Sequence, residues 1–97
     1  MDINQYWVYI IRCENHTYYT GYTTDLVRRY HEHVAGTGKC KYTRSFKPLN
    51  VAQCWCVYEK SLAMRMEKFI KKMSRKNKDN LVSNPHLLLH HFAEVIT

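Results

Sequence analysis

Two segments constrain this chain more than anything else in it: Trp7-Val8-Tyr9-Ile10-Ile11-Arg12, and the answering run Thr17-Tyr18-Tyr19-Thr20 that closes on Gly21. The first is rich in aromatic and β-branched residues, which suit a pleated, packed surface, and reads as a strand. Glu14-Asn15-His16 supplies a tight connection, and the second run reads as the returning strand of a hairpin. Gly21 permits a backbone shape or a close approach that a side chain would block. Beyond it, Asp25 to His33 reads as a helix, with Thr23 or Thr24 in the capping position. Leu26, Tyr30, His33 and Val34 recur at helical spacing, with Val27 flanking, and Arg29 and His33, four apart, share a face. That face is not purely apolar, which points to a helix edge lining a cleft.

Residues 36–50 carry Gly36, Gly38 and Pro48 among polar residues and read as a long loop, with Lys41-Tyr42-Thr43 as a short ordered piece. Residues 51–58 form a third strand, Trp55 and Val57 on one face, Cys54, Cys56 and Tyr58 on the other. Ser61 is placed to cap a second helix whose inward stripe is Leu62, Met66, Phe69, Ile70 and Met73. Glu67 sits beside that stripe, one turn from Ala63. Ser74 starts another short helix reaching about Val82, and Asn84-Pro85 breaks it. The tail from His86 to Ile96 is apolar, with His86, His90 and His91, and its pattern fits a short helix or an edge strand equally. The organisation expected is a domain over residues 1–83 and an extension, 84–97, packed on it or trailing from it.

A chain of 97 residues makes one domain with a small core. No window approaches the roughly 18 apolar residues of a membrane helix. Asp2, Asn4 and Gln5 interrupt any apolar leader, so a cytoplasmic protein without membrane association is expected. The four cysteines (Cys13, Cys40, Cys54 and Cys56) match no common zinc spacing and read as small buried hydrophobes in a reducing compartment. The formal charge of +7, fifteen Lys and Arg against eight Asp and Glu, favours an anionic partner such as nucleic acid. Its distribution says more. Lys39, Lys41, Arg44 and Lys47 share the long loop, while Lys68, Lys71, Lys72, Arg75, Lys76 and Lys78 crowd the late helical region. Lys39, Lys41, Arg44, Lys71, Lys72 and Arg75 are the candidate backbone contacts.

Phosphodiester hydrolysis needs a group to activate water, a group to hold the phosphate, and neutralisation of the charge that develops. Glu67 offers a hard oxygen ligand to Mg²⁺ or Mn²⁺. Arg29 offers a planar fork for non-bridging oxygens, and His33, Tyr9 or Tyr19 could orient or deprotonate water. Taken singly, each has a structural reading as well. The tyrosines pack the hairpin, Arg29 is solvated, His33 is a satisfied helix-face histidine, and Glu67 pairs with Lys71 at i,i+4. A strand pair, a helix and a distant helix carrying these groups in this order point instead to a site.

The ordered set Trp7-Val8-Tyr9, Tyr19-Thr20-Gly21, Thr23-Thr24-Asp25-Leu26-Val27-Arg28-Arg29, His33, Lys41-Tyr42-Thr43-Arg44 and Glu67 through Arg75 resembles the GIY-YIG nuclease superfamily. More closely it resembles the small single-domain bacterial branch (UPF0213-like) related to the N-terminal nuclease domain of excinuclease. The resemblance spans roughly residues 6–82. It implies an α/β fold, a three-stranded antiparallel sheet flanked by helices, and a metal-dependent endonuclease cutting DNA through one metal ion to leave a 5′ phosphate. Carried over residue by residue, it assigns catalytic roles to Tyr9, Tyr19, Arg29 and His33, with Arg28 the neighbouring alternative for the arginine, and metal binding to Glu67. Trp7 and Val8 stand where the first signature has glycine and isoleucine, and the downstream asparagine has only Asn77 and Asn80 as candidates. Many relatives carry separate DNA-recognition domains, for which this length leaves no room. Binding through the backbone with selection by shape is therefore expected, and the alternative is a catalytically weak or inactive nucleic-acid-binding module.

Overall fold

The computed structural model describes residues 4–37 and 46–92. Lys39, Cys40, Lys41 and Arg44, and the ordered piece expected at residues 41–43, lie outside them. Three strands, β1 (Tyr6–Cys13), β2 (Tyr18–Thr23) and β3 (Pro48–Val57), form an antiparallel sheet in the order β2-β1-β3. Among the described residues four helices surround it: α1 (Leu26–Ala35), α2 (Lys60–Lys71), α3 (Arg75–Ser83) and α4 (His86–His91).

β1 is the centre because it is apolar on both faces: Val8, Tyr9, Ile10 and Ile11 are all essentially inaccessible. Such a strand gains most when both faces are covered. Alternation sends Val8 and Ile10 to one core, with Trp55, Val57, Leu62, Ala63, Met66, Ile70, Leu81, Leu88 and Phe92. Tyr9, Ile11 and Cys13 enter a second core with Tyr19, Leu26, Tyr30, Val51 and Cys54. The sheet therefore separates two layers, α1 on one side and α2 to α4 on the other.

The β1–β2 hairpin turns through Glu14 to Thr17, held by Cys13 N–H to the Thr17 carbonyl at 2.9 Å and His16 N–H to the Cys13 carbonyl at 3.0 Å. His16 takes the left-handed conformation that closes the turn (φ 64°). β3 begins earlier than the alternation indicates. Its pairing with β1 shifts register at Ile10/Ile11 and again at Arg12/Cys13, and these irregularities carry the strand back to Pro48, while Tyr58 falls outside it.

Helix boundaries are set by caps that differ in part from those expected. α1 is capped by Asp25, whose carboxylate accepts from Arg28 N–H at 3.0 Å; Thr23 acts one step back, its hydroxyl accepting from Asp25 N–H at 3.1 Å. The helix ends on Gly36 in the left-handed region, φ 71°. Leu26, Tyr30 and His33 face inward, whereas Val34 is exposed, lying about 100° round the helix from the buried His33. α2 starts at Lys60 behind Glu59, with no side-chain cap; Ser61 lies inside the helix. Ser74 caps α3 as expected, its hydroxyl accepting from Asn77 N–H at 3.2 Å. The described part of the tail is helical over His86–His91: Leu88 and Phe92, four apart, both reach the core, and the Trp55 indole N–H donates to the Pro85 carbonyl at 2.8 Å.

Candidate active site

Tyr9 and Gly21 are direct partners across the β1–β2 pair. A β-carbon on Gly21 would stand 2.6 Å from the Tyr9 hydroxyl and 2.8 Å from its Cζ. The tyrosine therefore lies over the glycine, and bare backbone at position 21 is what lets its phenol reach further. What it reaches is α1: the Tyr9 hydroxyl meets His33 Nε2 at 3.0 Å in a buried hydrogen bond, phenol or imidazole donating according to the tautomer.

Tyr19 completes a triangle of rings. Its centroid lies 4.8 Å from that of His33, edge to face, and 6.5 Å from that of Tyr9; Tyr9 and His33 are 5.9 Å apart. Unlike the other two, Tyr19 is only half-buried, so the triangle opens to solvent on its side.

Arg29 sits one turn before His33, half-buried, with its guanidinium 3.4 Å from the Glu32 carboxylate. Burial, and then the Arg29 charge, push the His33 pKa down to about 4, against a smaller opposing influence of Glu32. At neutral pH the imidazole is uncharged, and one nitrogen must be an acceptor. The Arg29–Glu32 pair was not anticipated, although its i,i+3 spacing is visible in the sequence.

The structure thus brings Tyr9, Tyr19, His33 and Arg29 together on the α1 layer. Glu67 belongs to α2, in the other layer, and pairs with Lys71 at 3.1 Å. It lines an open groove of ≈ 580 Å³ with Tyr22, Ser61, Met64, Arg65, Lys68 and Lys71. Tyr22 immediately follows Gly21 on β2 and faces the opposite way, so Glu67 stands at the flank of the edge strand whose other face carries Tyr19. Among the described residues no cluster of three or more His, Cys, Asp and Glu could hold a metal ion. A single carboxylate suits Mg²⁺ or Mn²⁺, which retain waters and use few protein ligands alongside phosphate oxygens.

Of the remaining basic candidates, Lys71 is tied to Glu67 and Lys72 is exposed at the end of α2. Arg75 has a structural engagement: its Nε meets Asp79 at 3.0 Å and its guanidinium lies 4.2 Å over the Tyr18 ring, whose hydroxyl donates to the same carboxylate at 2.7 Å. The Asp79 pKa is lowered by those hydrogen bonds, from Tyr18 first and then Arg75. Asn77 and Asn80 line a small cavity of ≈ 160 Å³ with Phe69 and Leu88, and Asn80 accepts from the Asn84 side chain. Cys13 is buried and Cys54 and Cys56 partly so, all free; burial raises the Cys13 and Cys54 thiol pKa values, as befits packing residues. No described helix is long and apolar enough to cross a membrane.

A hairpin bearing paired tyrosines, a following helix bearing arginine and histidine, and a later helix bearing a carboxylate stand on a three-stranded antiparallel α/β scaffold. The chain belongs to the GIY-YIG family, matching its catalytic domain over residues 5–80. It is similar to UPF0213 proteins. That of Listeria innocua is 42% identical over 80 residues, covering 82% of this chain and 88% of the relative. That of Halobacterium salinarum is 50% identical over 74 residues, covering 76% and 95%. The solution NMR structure of the UPF0213 protein from Bacillus halodurans, 43% identical, superposes with a TM-score of 0.54 over 81% of this chain and 83% of that one.

Proposed function

We propose that this protein is a metal-dependent endonuclease that hydrolyses phosphodiester bonds of DNA, selecting substrate by shape rather than by sequence. The observation that carries the reading is the buried Tyr9–His33 hydrogen bond, flanked by Tyr19 and by the Arg29 guanidinium.

In this reading Arg29 exchanges part of its interaction with Glu32 for the non-bridging oxygens of the scissile phosphate. A neutral His33 accepts the Tyr9 proton at Nε2 as the Tyr9 oxygen takes one from the attacking water. With a pKa near 4 the free imidazole is a weak base. Its weakness has two causes, burial and the Arg29 charge, and an anionic phosphate on Arg29 offsets the second. Base strength at His33 thereby rises when substrate is in place. Tyr19, at the open side of the triangle, positions the water. Glu67 would hold Mg²⁺ or Mn²⁺, which when bound neutralises phosphate charge and stabilises the leaving 3′ oxygen. The positive charge of the chain supports a nucleic-acid substrate held through its backbone.

One observation favours a second reading, a nucleic-acid-binding module of little activity: Glu67 already has a cation, Lys71, at 3.1 Å. The deciding experiment incubates nicked, branched, duplex and single-stranded DNA, and RNA, with Mg²⁺ or Mn²⁺ and either wild type or Glu67→Gln. Cleavage by wild type that falls by about a hundredfold or more in the variant, with binding retained, is the expected result. Equal cleavage by both proteins would remove Glu67 from the mechanism. Salt-sensitive binding by both without cleavage would establish the binding module.

A further inference from the structure

The outer side of α2 carries a second feature that the hydrolytic machinery does not use. Arg65, Lys68 and Lys72 follow one another at three- and four-residue spacing, hence along one stripe, about 10 Å from first to last. All three are exposed. Together with Phe69, His91 and Phe92 they line a groove of ≈ 330 Å³, and no carboxylate stands among these described lining residues.

Aromatic rings make its floor. The His91 imidazole is stacked on Phe69 with centroids 4.1 Å apart and planes at 21°. Phe92 meets both rings edge-on, at 5.6 Å from Phe69 and 5.0 Å from His91, and the Arg65 guanidinium lies 5.8 Å over the Phe92 ring. Phe92 is buried and Phe69 half-buried, whereas His91 is exposed, so the top of the stack is accessible. Arg65 and Lys68 also line the Glu67 groove, so the two grooves are neighbours along α2.

A row of cations beside an accessible aromatic stack complements a strand whose phosphates and unpaired bases are both exposed. A duplex offers phosphates but keeps its bases inside, and an acidic peptide would leave the stack unused. We propose that this groove binds single-stranded DNA, phosphates along Arg65, Lys68 and Lys72 and a base on His91, and so guides the unpaired arm of a branched substrate toward Glu67. The guiding role rests on the nuclease reading; the binding does not, and it is measured without metal.

The test is fluorescence anisotropy in EDTA with a labelled oligo(dT) of about 16 nucleotides and a duplex of the same length. The proteins are wild type, His91→Ala, His91→Phe and the triple variant R65A/K68A/K72A, each checked for native circular dichroism. His91→Ala should weaken oligo(dT) binding about fivefold or more while leaving the duplex unchanged, and His91→Phe should restore it. The triple variant should reduce the salt dependence of oligo(dT) binding by about two in log–log slope, three contacts at roughly 0.7 each. Unchanged oligo(dT) affinity in His91→Ala, or equal weakening of strand and duplex, overturns the proposal. So does an unchanged salt slope in the triple variant. Because no cleavage is read, failure here leaves the Glu67→Gln result standing, and the reverse.

Discussion

Gly21→Ala is the sharpest perturbation available to the site. Position 21 does not need glycine for its dihedral angles, since the positive-φ glycine among the described residues is Gly36. It needs glycine for space: the new β-carbon would lie 2.6 Å from the Tyr9 hydroxyl and 2.8 Å from Cζ. Tyr9 cannot swing clear cheaply, being 1% exposed and hydrogen-bonded to a histidine that is wholly buried. Overpacking of this kind costs about 1–3 kcal/mol, and loss of the Tyr9–His33 bond adds about 1 kcal/mol, so a total of about 2–4 kcal/mol is expected. In a domain of this size that lowers the melting temperature by roughly 10 °C or more. Urea denaturation measures the cost. The control is the same substitution in a Tyr9→Leu background, where both clashing atoms are absent and the alanine should cost less than about 1 kcal/mol. A Gly21→Ala protein within about 0.5 kcal/mol of wild type, or an equal cost in both backgrounds, would refute the close-approach argument.

The His33 pKa makes stability pH-dependent in a defined direction. The unfolded chain takes its proton near pH 6.5 and the folded chain only near 4, so between these values the unfolded state binds more protons. Stability should fall as pH drops through that window, on the order of 2 kcal/mol; NMR titration should place the His33 midpoint near 4, and a midpoint near 6.5 would contradict its environment. Ending the chain at Asn84 strips Leu88 and Phe92 from the core and the Pro85 carbonyl from Trp55, costing roughly 3–6 kcal/mol. Denaturation of the shortened chain at wild-type urea concentration would show instead that the tail merely trails. Ser74→Ala removes the α3 cap and should cost about 1 kcal/mol, whereas Ser61→Ala, inside α2, should not show a capping loss; equal effects by urea denaturation would argue against these helix starts.

Much of the fold is legible in the sequence because it is local. The hairpin, the three principal helices and the Ser74 cap follow from alternation, helical periodicity and short-range hydrogen bonding, each written within a few residues. The pairing of Glu67 with Lys71 is of the same kind. Where local reading goes astray, neighbours compete: Asp25 outranks Thr23 and Thr24 as the α1 cap because its carboxylate reaches Arg28 N–H, and the threonine then serves the aspartate. The start of β3 escapes its own alternation because irregular pairing with β1 extends it to Pro48. The tail is ambiguous in its own apolar pattern. Its described part, His86–His91, is helical because Leu88 and Phe92 are brought over the same core only at helical spacing.

Short-range pattern is enough to say on which elements the candidate groups ride: Tyr9 and Tyr19 on the hairpin, Arg29 and His33 on one face of the following helix, Glu67 on a later one. How they meet is a matter of tertiary packing. Tyr9 and His33 are separated by 24 positions, and their bond exists because Gly21 clears the path between strand and helix. Arg29 and burial together depress the histidine pKa, and both causes act through space and solvent exclusion, which no spacing of residues records. Likewise, the arrangement of layers places Glu67 at the flank of β2 and joins Arg65, Lys68 and Lys72 to the aromatic stack of His91 and Phe69. Periodicity specifies which face of an element is buried; which other element covers that face is a property of the assembled core.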